Sequence, residues 1–246
     1  MEKFGAGVYG DVPELFQDRN SVQSQVHQQH VASDIAYMAF EGGYKPALRR
    51  LDRGAFLYRP SDAFKCLYSI RCGFLKTSFG DVEGHDQVTG FHMSREILGL
   101  DGLGHQHHKH SAVALEDSEV YAISYAQLEK IGRSVPQVQQ RMQEILVCEI
   151  ARTHDMMLLL GSLHAQERLA TFLINLSERF MLRGYSGSEF ILRMTRQEIG
   201  SYIGLKLETV SRIFTRFHDK GLIDVRQKYI SIIDLRGLKH ILKPLH

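Results

Sequence analysis

The segment "TRQEIGSYIGLKLETVSRIFTRF", residues 195–217, constrains this 246-residue chain more than any other stretch. Thr195 and Glu198 stand at the T-x-x-E spacing of a capping box, which marks the start of a helix. Ile199 and Ile203 give that helix an apolar face, and Gly204 permits a sharp turn after it. In a second helix Val210, Ile213, Phe214 and Phe217 recur at helical intervals and turn inward. Glu208, Thr209, Ser211, Arg212, Thr215 and Arg216 are left on the outward face. Just downstream, "GLIDVRQKYISIID" reads as two strands around a short polar turn. Together these features predict a winged helix-turn-helix.

The outward residues suit recognition of duplex DNA. An arginine donates two hydrogen bonds to guanine O6 and N7, a glutamate accepts from the cytosine amino group, and a small hydroxyl meets a base edge or the thymine methyl. Glu208, Ser211 and Arg212 are therefore assigned to base readout. Thr195, Arg196, Lys206 and Arg216 are assigned to phosphates, which position the protein without specifying sequence. Charge agrees with this placement. From His164 onward there are 14 Lys and Arg against 8 Asp and Glu, whereas the preceding residues carry 16 against 20. A basic back half suits a polyanionic partner.

The remainder reads as a different unit. Residues 1–24 are polar and aperiodic and form a tail, and 25–45 show a helical pattern. From Ala47 to Ser124, short runs rich in β-branched and aromatic residues alternate with glycine turns, the signature of an antiparallel β-roll or barrel. A long helix is expected over about 136–162, opened by Pro136 and closed by Gly161. One face carries Leu146, Ile150, Thr153, Met157 and Leu160 at spacings of 4, 3, 4 and 3, a coiled-coil seam. Another side offers Met142, Ile145, Met156 and Leu159 for the roll. A helix apolar on two sides needs two partners, and the second is most simply another copy of the chain. The competing reading is a helix wholly buried inside a monomer. The domain boundaries are thus a tail at 1–24, a sensor-like β-roll at 25–135, a dimerisation helix at 136–163 and a winged helix-turn-helix at 164–246, an α+β architecture.

Composition sets the outer limits. Hydrophobic residues make up 43% and charged residues 24% of the chain, as in ordinary globular proteins. Apolar runs such as "MMLLL" are far too short to span a bilayer, and no basic stretch followed by an apolar one opens the sequence. A cytoplasmic location without membrane contact is the expectation. No GxSxG elbow, phosphate-binding glycine loop or H-E-x-x-H motif points to an enzyme.

"TRQEIGSYIGLKLETVSRIFTRF" closely resembles the helix-turn-helix of the CRP/FNR transcription regulators, FNR branch. So do "LYSIRCGFLKTS" (67–78), "GHDQVTGFH" (84–92) and "AQERLATFLINLSERF" (165–180). The resemblance covers roughly residues 45–235. It implies a cyclic-nucleotide-binding-like β-roll, a long dimerisation helix and a C-terminal winged helix-turn-helix. It further implies that Glu208, Ser211 and Arg212 read a palindrome of the TTGAT…ATCAA type, and that Gly84, His85 and Asp86 face RNA polymerase in an activating complex. Lys206 stands where relatives usually have a threonine before the recognition helix.

What controls the protein is approached by comparison with that family. Oxygen-sensing relatives hold an iron–sulfur cluster with three closely spaced N-terminal cysteines and a fourth in the roll. This chain has only Cys66, Cys72 and Cys148, and Tyr121 stands at the fourth position, so no cluster is expected. The cyclic-AMP relatives bind ribose with a glutamate and phosphate with an arginine. Leu100 replaces that glutamate, and no arginine lies between Arg95 and Arg133. His105, His107, His108 and His110, with His92 nearby, form a candidate metal or haem site, set against a solvated loop, since relatives also carry a histidine pair here. Cys66 and Cys72 lie an even number of residues apart on one strand and read as small buried hydrophobes, set against a redox pair, and Cys148 as packing near the seam, set against a symmetric disulfide. Thr153 occupies the position of an aspartate that keeps cluster-free relatives monomeric by charge repulsion. A constitutive homodimer without cofactor follows. The alternative is a regulator gated by haem or nitric oxide, a metal or a nucleotide in the roll.

Overall fold

The computed structural model describes residues 36, 39–40, 42–80 and 86–242. The expected 1–24 tail and most of the expected 25–45 helix lie outside the described residues, although Ala36, Ala39 and Phe40 are helical. Eight strands form the roll: β1 (Ala47–Leu51), β2 (Phe56–Tyr58), β3 (Cys66–Cys72), β4 (Phe74–Gly80), β5 (Asp86–Met93), β6 (Ile97–Leu98), β7 (Ser111–Ala114) and β8 (Ser118–Ser124). They make two antiparallel four-stranded sheets, ordered β1-β8-β3-β6 and β2-β7-β4-β5.

Strand alternation assigns the roll's side chains to separate cores. On β3, Tyr68 and Ile70 enter the roll interior with Leu51, Leu75, Leu98 and Val120. Leu67, of opposite parity, joins Ile123 on the outer face, where it meets helical residues. Those residues come from α1 (Tyr125–Ser134) and the long α2 (Pro136–Ser162), through Leu128, Val138 and Ile145. The two thiols of β3 depart from expectation. A bulge between Ile70 and Cys72 breaks the alternation at one end of the strand, where Cys72 is exposed, and Cys66 at the other end is half-buried. Cys148 is buried.

The C-terminal unit contains α3 (Ala165–Met181), β9 (Glu189–Ile191), α4 (Arg196–Ile203), α5 (Leu207–Asp219), β10 (Ile223–Arg226), β11 (Tyr229–Ile232) and α6 (Leu235–Ile241). The wing is a three-stranded sheet ordered β10-β11-β9. Helix α6, which the sequence reading did not anticipate, is capped by Asp234 accepting from the Gly237 amide at 2.8 Å and buries Leu238. A single apolar core runs from Phe74, Val88, Phe91 and Met93 of the roll into Leu169, Phe172, Ile199, Ile203 and Phe217. The C-terminal unit is therefore packed on its own roll.

Candidate nucleic-acid interface

Helix α4 starts as its capping box requires. Thr195 Oγ1 accepts from the Glu198 amide at 3.1 Å, and Glu198 Oε2 accepts from the Thr195 amide at 2.7 Å. The helix ends at Gly204, whose φ of 67° is left-handed, a conformation that favours glycine. Gly200 matters as well, because a Cβ there would lie 2.4 Å from the Leu205 carbonyl oxygen. Only a glycine lets the turn carbonyl approach α4 this closely.

In α5, Val210, Ile213, Phe214 and Phe217 are buried. Glu208, Ser211, Arg212, Thr215 and Arg216 are exposed along one side, whereas Thr209 is half-buried rather than outward. Arg212 Nε reaches the Glu208 carbonyl at 3.4 Å and Thr215 Oγ1 donates to the Ser211 carbonyl at 3.2 Å. Both bonds are long, so neither side chain is firmly held. Lys206 precedes α5 without a side-chain cap, exposed at the turn.

Arg196 is not held out in solvent. Its guanidinium stacks 3.2 Å from the Phe214 ring centroid, and its Nη1 is buried without a hydrogen-bond partner. Burial pushes its pKa down to about 10, so it remains charged near neutrality. It fastens the start of α4 to the middle of α5. Periodicity within one helix could not have revealed a contact with an aromatic ring on the other.

On α2 the seam residues lie together in the open. Leu146, Ile150, Met157 and Leu160 are 39, 55, 58 and 37% exposed, joined by Val147 at 64%, which the sequence reading missed. Thr153 is exposed and donates to the Glu149 carbonyl at 2.9 Å. Ile145 and Leu159 are buried, and Met142 and Met156 pack half-buried against two separate cores.

The histidines do not gather as one set, although His108 and His110 both face Asp101, at 3.3 and 3.8 Å. His108 is buried, stacked on Tyr58 with centroids 3.8 Å apart and Nδ1 3.3 Å from Asp101 Oδ1. His105 and His107 are exposed, and His110 lies edge-on to Phe79. His92 is buried elsewhere, beside Thr77 and Arg152. Among the described residues no group of three His, Cys, Asp or Glu side chains gathers to hold a metal ion. The reason is the stacking of His108 inside the roll while its neighbours follow the loop surface. An open hollow of about 570 Å³ lies beside this loop, lined by Pro60, Ser61, Phe79 and His105 among others. Gly84 and His85 lie outside the described residues. Asp86 is exposed, and its carbonyl accepts from Ser201 at 2.9 Å.

Comparison with known proteins agrees with this architecture. Residues 48–134 match the cyclic nucleotide-binding domain model and 167–241 the Crp-like helix-turn-helix domain model. The chain is 46% identical over 193 residues to the transcriptional regulatory protein Btr of Bordetella pertussis, covering 78% of this chain and 80% of that protein. It is 44% identical over 186 residues to the transcriptional activator protein Anr of Pseudomonas protegens, covering 76% of each. With the fumarate and nitrate reduction regulatory protein of Escherichia coli it shares 42% over 182 residues, 74% of this chain and 73% of that one. The structure of FixK2 from Bradyrhizobium japonicum superposes with a TM-score of 0.75 at 26% identity, covering 82% of this chain and 99% of that one. With an exposed recognition helix, a wing, a β-roll and these relatives, the chain belongs to the CRP/FNR family of DNA-binding transcription regulators and is not an enzyme.

Proposed function

We propose that the protein is a homodimeric transcription activator that reads a TTGAT…ATCAA palindrome without an iron–sulfur cluster. The observation that carries this reading is the exposed Glu208–Ser211–Arg212 side of α5, held on a helix whose opposite side is fully packed. Arg212 pairs with guanine O6 and N7, Glu208 accepts from a cytosine amino group, and Ser211 meets a neighbouring base edge. Thr195, Arg196, Lys206 and Arg216 contact phosphates, Arg196 from a guanidinium braced on the Phe214 ring.

Dimerisation is supported by the apolar stripe Leu146–Val147–Ile150–Met157–Leu160, a coiled-coil seam with no charge at Thr153. A two-fold pair of recognition helices meets half-sites about one helical turn apart, which is why the site is palindromic. Asp86 and the adjoining loop are assigned to RNA polymerase.

The residues present do not fit a four-thiolate cluster. There are three cysteines, two on β3 and one on α2, and burial pushes the thiols of Cys66 and Cys148 up in pKa. Burial therefore disfavours the thiolate that metal binding needs.

A second reading has one observation behind it. His108 Nε2 is buried without a partner beside the histidine-loop hollow, which suits a roll gated by haem, a metal or a nucleotide. A visible absorption band or a bound metal in the purified protein distinguishes it.

The test is an aerobic titration of ligand-free protein against the palindrome and a scrambled duplex at fixed salt. Tight binding to the palindrome alone is the expected result. Equal binding to both duplexes overturns the proposal.

A further inference from the structure

Helix α4 is fixed to the roll at two points one turn apart. Glu198 Oε1 accepts from Lys76 Nζ of β4 at 2.8 Å, a pair only 15% and 19% exposed. Ser201 Oγ accepts from the Val88 amide at 2.8 Å and donates to the Asp86 carbonyl at 2.9 Å, both on β5. Gln87 adds a bond from its amide to the Ser201 carbonyl. Beneath them Tyr202 packs on Phe91, with ring centroids 5.1 Å apart.

The Glu198 carboxylate has two tasks. One oxygen binds Lys76, and the other holds the amide and hydroxyl of Thr195 at 2.7 and 3.0 Å. Burial opposes its charge, yet Lys76 and Thr195 together hold its pKa below the usual carboxylate range. It remains an anion able to keep both partners.

Only Leu163 and His164 separate the end of α2 from the start of α3. Two extended residues are a short hinge that leaves the DNA-binding unit free to rotate about the dimerisation helix unless something else restrains it. Arg168, which donates to the Leu160, Leu163 and Ile203 carbonyls, and the shared core restrain it in part, and the bonds to β4 and β5 add the restraint that acts on α4 itself.

We infer that Lys76 is a positioning residue for DNA recognition: through Glu198, and together with Ser201, it fixes the recognition helix relative to the dimerisation helix and so sets the half-site spacing the dimer accepts. The inference rests on the dimer and palindrome proposed above. It concerns how narrowly spacing is enforced, not how bases are read.

The experiment uses the full chain with Lys76→Met, Lys76→Arg and Ser201→Ala. Affinity is measured for the palindrome, for the same palindrome with one base pair added between half-sites, and for a duplex bearing one half-site. The expected result is that Lys76→Met and Ser201→Ala reduce the penalty for the added base pair by roughly fivefold. Half-site affinity stays at the wild-type value, and Lys76→Arg restores the penalty. A penalty unchanged in Lys76→Met, or a loss of half-site affinity equal to the loss on the palindrome, overturns the inference. Failure of the wild-type protein to prefer the palindrome over a scrambled duplex is a separate result and sinks the palindrome reading instead. Amide hydrogen exchange of the free proteins then decides the tether. Faster exchange at Val88 in Lys76→Met supports it, and unchanged exchange overturns it.

Discussion

Arg212 combines exposure to solvent with a fixed helical platform beneath it. Its guanidinium is exposed, and its neighbours at 210, 213 and 214 are buried. Arg212→Ala should cost about 1–3 kcal/mol on the palindrome and relax specificity at one base pair per half-site. Competition among single-base variants of the site measures this. A uniform loss on every sequence would mean that Arg212 binds phosphate. Gly200 sets a tighter limit. Because a Cβ would press on the Leu205 carbonyl, Gly200→Ala should lower the melting temperature and weaken DNA binding, with a cost on the order of 1–3 kcal/mol. Thermal unfolding followed by circular dichroism checks it. The outward set Glu208, Ser211 and Arg212 was legible in sequence because one helix's periodicity decides it. Arg196 and Gly200 were not, since one depends on a ring of the second helix and the other on a carbonyl of the turn.

At the scale of elements, α2 is the helix whose apolar residues exceed what one chain can cover. Its inner side serves two cores, through Ile145 on one and Leu159 with Met156 on the other, while the stripe from Leu146 to Leu160 stays open. Ile150→Asp should shift sedimentation from dimer to monomer and weaken palindrome binding by roughly a hundredfold, because an unpaired carboxylate would be buried at the seam. A variant that still sediments as a dimer would place the interface elsewhere. The helix's limits at Pro136 and Ser162 were readable from local punctuation. Val147 was missed because a strict heptad excludes it. Helix α6 was missed because its seven residues are too few to show a period. The bulge that exposes Cys72 has no sequence signature of its own.

For the whole molecule, the seat of the DNA-binding unit on the roll includes a buried polar network as well as the apolar core. Glu96 is 5% exposed and accepts from Arg179 at 2.8 and 3.0 Å and from Arg183 at 2.5 Å. Burial opposes the Glu96 charge, but Arg179, His92 and Arg183 more than offset it and hold the carboxyl far below its usual pKa. Burial likewise pushes His92 down, against the pull of Glu96. Both groups bind fewer protons folded than unfolded, so acid destabilises the fold. Stability should decline first as pH falls below about 6.5 through His92, and again below about 4.3 through Glu96. Asp155 and Glu178, pushed up by burial, act in the opposite sense, but only within the carboxylate range. Melting temperature measured from pH 8 to 5.5 tests the first step, which His92→Gln should remove. None of this packing between halves was visible in the chain, because each half satisfies its own pattern and nothing local names its counterpart.

The continuous core from Phe91 through Phe172 to Tyr202 has a consequence for building hybrids from this family. A chimera joined at residue 164, where the sequence divides most plainly, would split one hydrophobic interior between two ancestries. A sensor taken from another relative would inherit this reader's behaviour only if strands β4 and β5 travelled with the reader, so the heritable module is defined by its contacts rather than by its place along the chain.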